Sequence, residues 1–222
     1  MDLNITAEEV RIIGALMEKE ITTPDYYPMT LNSLVAACNQ KSCREPVTSF
    51  DEATVSFHLD ILRDTKKLAG MVSAAGSRVQ KFKQRLTENY FFTPPERAVL
   101  CELMLRGPQT PGELRNRAER MHPFASLDEV LGALRELETR ADGPWVVLLP
   151  RMAGHKEARY AHLLSGRPEM AANASVEPAS DAVSAASPID RISRLEQEAK
   201  ELREELARLS TEFKALRDQL GS

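Results

Sequence analysis

Apolar residues recur along this chain at two spacings, and the change from one to the other outlines its elements. Val10, Ile13 and Met17 fall three to four residues apart, as do Val55, Leu59 and Leu62, and again Leu127, Val130, Leu131 and Leu134. Each set forms a stripe down one face of a helix. Leu31, Leu34, Val35 and Cys38 mark another helix, with Thr30 as its cap. Thr6/Glu9, Ser49/Glu52, Thr93/Glu96, Thr110/Glu113 and Ser126/Glu129 all fit S/T-x-x-E, in which each side chain satisfies a backbone donor that the first turn leaves orphaned. Pro111 suits a first helical position, where its missing N–H costs nothing. Helices are therefore expected over 6–19, 30–40 and 50–67, and again near 94–106, 111–121 and 127–141. After each set of three the chain switches to short strand-like runs. These are "LAGMVSA" and "RVQKFKQRL" about an "AGS" turn, then "PWVVLLP" and "EARYAHLL" about a loop.

Three helices closed by a β-hairpin, written twice, predict a mainly α fold with small β-hairpins (α+β): two winged-helix domains in tandem, over 1–87 and 88–166. In such a unit the second and third helices form the helix-turn-helix, and the third is the potential recognition helix. Beyond Gly166, residues 167–188 are rich in Ala, Ser and Pro and read as a flexible linker. Over 189–222 a heptad pattern predicts a coiled-coil helix. Ile192, Ala199, Leu206, Phe213 and Leu220 fall at a, with Leu195, Leu202, Leu209 and Leu216 at d. Glu198 and Glu212 at g match Arg203 and Arg217 at e across a parallel pair, so a homodimer is expected. The alternative is one amphipathic helix folding back on the body.

Charge localises the candidate chemistry. The net charge is -4, which excludes a strongly basic, general nucleic-acid binder. Residues 1–87 are balanced, 88–166 near neutral and 167–222 acidic, yet Thr65–Thr87 holds Lys66, Lys67, Arg78, Lys81, Lys83 and Arg85 with no carboxylate. On a strand Lys81, Lys83 and Arg85 share a face with Val79, while Phe82 and Leu86 point inward. Such a wing either holds phosphates or is an edge strand kept soluble by its lysines. The third helix adds Ser56 and Arg63 as groups able to reach base edges, beside the repelling Asp51, Glu52, Asp60 and Asp64. Lys41 follows the second helix. The corresponding helix of the second half carries Asp128, Glu129, Glu136 and Glu138 against Arg135 and Arg140, which suits a supporting or protein-binding role. Tyr26 and Tyr27, between two prolines, either pack a corner or offer a ligand platform, with packing favoured.

Cys38 lies on an apolar stripe and reads as a buried thiol, with a redox pairing to Cys43 as the alternative. Three cysteines and an N-terminus without a basic-then-apolar leader point to a reducing cytoplasm. No apolar run is long enough to span a membrane. No phosphate-cradling glycine motif, nucleophile elbow or His/Glu metal pattern is present, so no enzyme activity, cofactor or metal is expected.

The stretches "KEITTPDYYPMTLNSLVAACNQKS", "LCELMLRGPQTPGELR" and "EARYAHLLSG" resemble the bacterial YceH-like family over residues 4–166. The resemblance implies tandem winged-helix domains and supplies no catalytic residues. Its wing, "VQKFKQRL", departs from the family form, which carries Tyr and His there. Two functions follow from the reading as a whole. One is a dimeric, transcription-regulator-like protein binding double-stranded DNA through the 50–67 helix and the 78–85 wing. The other is a scaffold of the same fold that binds proteins and not DNA.

Overall fold

The computed structural model describes residues 3–73, 79–151 and 157–168. The chain opens with α1 (Ala7–Thr22), fixed at its start by the expected box. The Thr6 hydroxyl accepts from the Glu9 N–H at 3.3 Å, and the Glu9 carboxylate accepts from the Thr6 N–H at 2.8 Å. A 3-10 turn over Pro24–Tyr26 leads into β1 (Met29–Thr30) and α2 (Leu31–Cys38), where Thr30 caps through the Ser33 N–H. Next comes α3 (Glu52–Asp60), continued by a π-helical turn over Ile61–Thr65. Its cap is Asp51, which accepts from the Thr54 N–H at 2.7 Å, and not the expected Ser49. Asp is as good a cap as Ser, and here it stands next to the helix.

β2 (Ala69–Val72) and β3 (Lys81–Gln84) form the first antiparallel hairpin, and β1 joins it in the order β1-β3-β2. A short α4 (Leu86–Asn89) precedes α5 (Pro94–Arg106), α6 (Pro111–Arg117) with a 3-10 turn over Ala118–Arg120, and α7 (Leu127–Thr139). β4 (Val146–Leu148) and β5 (Tyr160–His162) close the second hairpin. The described residues thus make a mixed fold of helices and small antiparallel sheets, as expected. β1 and α4 went unread because two and four residues are too short to show a period.

The two halves repeat one detail that no periodicity carries. Before α2, Met29 and Thr30 pair with Phe82 and Lys81 of β3. Before α6, Gln109 makes the equivalent bridge to Tyr160 of β5, with N···O distances of 3.0 and 2.8 Å.

Met1–Val176 forms one compact unit, and its core runs through both halves without a break. The stripe on α1 predicts one buried face, but ten consecutive residues, Glu9–Glu18, are buried. One side of the helix packs on α2 and α3 and the other on α5, whose residues 98–105 are likewise all buried. The crossing is close. A Cβ on Gly14 would lie 2.9 Å from Leu105 Cδ2 and 3.2 Å from Met104 Cβ, so glycine is what lets the helices meet. Further ties run from the Ile5 N–H to the Leu164 carbonyl (3.2 Å) and from the Glu45 N–H to the Leu105 carbonyl (2.9 Å). At the other end Trp145 takes Tyr90 and Phe92 edge-on, each at 4.8 Å between ring centres.

Candidate interaction surface

β3 alternates as its sequence dictates. Phe82 and Gln84, followed by Leu86, are buried, while Lys81 and Arg85 are exposed and Lys83 is half-buried on the opposite face. The inward side is fixed by polar contacts as well. The Gln84 N–H donates to the Tyr27 hydroxyl at 2.7 Å, and its amide donates to Glu20 at 2.7 Å and Thr87 at 2.6 Å. Tyr27 therefore packs the corner, and burial pushes its phenol above the ordinary value. Tyr26 beside it is exposed, which departs from the expected packing of both rings.

Two of the three cations on this face share one acid. Glu88, on α4, receives both Lys83 Nζ and Arg85 Nε, the latter at 3.2 Å. Lys83 first and Arg85 second hold its carboxyl below the usual range. The third helix behaves the same way. Arg63 reaches Asp60 at 3.0 Å and grips Asp64 at 2.7 and 2.8 Å. Lys66 Nζ turns inward to Glu9 at 3.0 Å and to the Asn4 carbonyl. Lys67, in the left-handed region at φ 58°, ends the helix and is exposed. Its carbonyl accepts from the Asn89 amide at 3.0 Å. Lys41, beyond α2, and Lys81 are exposed without an ion-pair partner among the described residues. Arg78 lies outside the described residues, as do all the heptad positions from Ile192 to Leu220.

Ser56 belongs to a different feature. It lines a groove of about 800 Å³ between the start of α2, the face of α3 and the first hairpin. Leu59 and Phe82, both buried, form the floor, with Asp60 and Arg63 along one side and Met71 along the other. Met71 pairs across the hairpin with Phe82, so it shares the core-facing side of the sheet, yet it is 45% exposed. Phe57, on α3, is 62% exposed. These apolar groups stand on the surface expected to meet DNA.

Among the described residues, the third helix of the second half carries more acids than cations. On α7, Arg135, Glu136 and Glu138 are exposed, while Arg140 is held by Asp142 at 2.8 Å and lies 4.8 Å over the Phe92 ring. Among the described residues no group of His, Cys, Asp and Glu is placed to hold a metal ion, and no helix is long and apolar enough to cross a membrane. Cys38 is buried, and that burial pushes its thiol up to about 12, so it carries little thiolate of its own.

Two signals were present in the sequence and unused. The carboxylate-free window ends at Thr87, one residue before the glutamate that two of its cations share. Arg63 has an aspartate at i-3 and another at i+1. Glu9 and Glu20, by contrast, are brought to their partners only by the fold.

Residues 5–155 match the family described as a protein of unknown function, DUF480. The chain is 51% identical over 213 residues to a UPF0502 protein of Pelobacter propionicus, covering 94% of each chain. It is 49% identical to one from Geotalea uraniireducens, covering 97% of this chain and 99% of that one, and 44% identical to one from Photobacterium profundum with the same coverage. The YceH-like resemblance is consistent with these matches, and the chain belongs to the DUF480 family of UPF0502 proteins.

Proposed function

We propose that this protein is a tandem winged-helix module that binds other proteins, and that its first hairpin and third helix form the contact surface. The observation that carries this reading is the pairing of cations with acids of the same half. Lys83 and Arg85 are engaged by Glu88, Arg63 by Asp60 and Asp64, and Lys66 by Glu9. Phosphate binding draws its energy from cations that are free to displace counterions, whereas exposed Phe57 and Met71 gain from being covered by an apolar partner. The repeated bridge ahead of α2 and α6 supports a duplicated winged-helix plan. In this reading the heptads from Ile192 to Leu220 join two copies and present the surface twice.

A second reading, binding of double-stranded DNA, is favoured by Lys41, Lys67 and Lys81, which have no ion-pair partner among the described residues. Fluorescence anisotropy with a labelled duplex at low salt separates the two. The protein-binding reading expects affinity that, once the salt is raised to the physiological range, is no better than the roughly 1–100 µM of non-specific binding. It also expects Glu88→Gln, which releases two cations, to tighten binding and steepen its salt dependence. Tight binding by the unaltered protein that falls about a hundredfold between 50 and 200 mM salt, and collapses in Lys81→Glu, would establish the DNA reading instead. A photo-crosslinking residue at Phe57 supplies the positive arm, giving protein adducts in cells that survive nuclease treatment.

A further inference from the structure

The groove between α3 and the first hairpin has a chemistry that narrows what it holds. We infer that it takes an amphipathic helix of a partner protein, with an apolar stripe facing the floor and lysine or arginine along the flank beside α3. This rests on the protein-binding reading and names the partner's class.

The apolar half of the argument is the floor. Leu59 and Phe82 belong to the core, and Met71 continues the core-facing side of the sheet to where α3 no longer covers it. The groove is therefore an exposed extension of a helix-on-sheet packing layer. Side chains at i, i+3, i+4 and i+7 of an incoming helix complete such a layer. Its wall is itself helical: Ser56, Leu59, Asp60 and Arg63 line it at that same spacing.

Charge identifies the flank. Glu52 lies one turn before Ser56 on the same face of α3, and Asp64 one turn after Asp60. Arg63 is shared between Asp60 and Asp64, and the charge of Lys67 also reaches Asp64. Three carboxylates against Arg63 and Lys67 leave this wall negative by one charge. The cations of β3 do not offset it. Lys81 pairs with Val72 and Lys83 with Gly70, on the face of the hairpin opposite Met71 and Phe82. A basic flank is thus attracted to the wall, and an acidic one is repelled.

The test is a methyl-resolved NMR titration of the full chain with two synthetic helices that share one leucine stripe, one with lysine flanks and one with glutamate flanks. The lysine peptide should bind about tenfold more tightly and shift the Met71 methyl. Met71→Asp should abolish that binding, whereas Leu148→Asp, an equally exposed strand position of the second half, should leave it unchanged. Asp60→Asn with Glu52→Gln should narrow the gap between the peptides. Equal binding of both peptides, shifts confined to other surfaces, or binding indifferent to Met71→Asp would overturn the assignment. If protein adducts from Phe57 persist in that event, only the occupant is wrong. Tight, salt-sensitive duplex binding would remove the underlying reading as well.

Discussion

His162 carries a cost set by its surroundings. The residue, on β5, is only partly accessible, and its Nδ1 is buried without a hydrogen-bond partner among the described residues. Burial lowers its pKa from 6.5 to about 4. The folded state then binds fewer protons than the unfolded state between those two values. Stability is retained above about pH 6.5 and lost as the pH falls towards 4, by up to about 3 kcal/mol. Chemical denaturation across that range should show the loss, and His162→Gln should flatten the curve; an unchanged slope would mean that the ring is solvated. Elsewhere opposite charges are buried as a pair. Arg44, with no side-chain exposure, holds Glu18 at 2.6 and 3.3 Å and also donates to the Ala37 and Cys43 carbonyls. Burial raises the Glu18 carboxyl, but Arg44 and Lys19 together outweigh it, so the group lies below its ordinary value. Neither environment was readable in the sequence, because both depend on which elements close over one ring or one carboxylate.

At the scale of elements, the caps and strand alternation were legible because they are local. Thr6, Thr30 and Thr110 cap where their spacing puts them. The division of β3 into an inward Phe82–Gln84 side and an outward Lys81–Lys83–Arg85 side follows from a period of two. Exposure, however, did not mean availability, since a side chain can point outward and still meet an acid one turn away. The deeper burial of α1 was hidden for another reason. A stripe records the strongest face of a helix, whereas "VRIIGALM" and "RAVLCELML" also carry apolar residues outside that stripe, the mark of a helix packed on more than one face. Gly14 belongs to that second face. Gly14→Val should drive a branched side chain into Leu105 and Met104 and cost about 1–3 kcal/mol, read as a lower midpoint in urea. A variant of unaltered stability would show that α5 can give way.

Across Met1–Val176, the repeated order of helices and hairpins suggested two bodies divided near residue 87, while the core shared by α1 and α5 binds both halves into one unit. Repeats in sequence carry no mark of how closely they are fused. That depends on small residues such as Gly14 and on contacts as distant in sequence as Ile5 and Leu164. Calorimetry on residues 1–176 should accordingly give one transition, with calorimetric and van't Hoff enthalpies equal. Two resolved transitions would mean that the halves melt separately.

The α1–α5 crossing has a mechanical consequence. If the single transition is found, the third helices of the two halves keep one separation and angle, like the jaws of a locked caliper. A ligand long enough to touch both engages the second at little additional entropic penalty. One that does not fit that spacing gains nothing from the duplication.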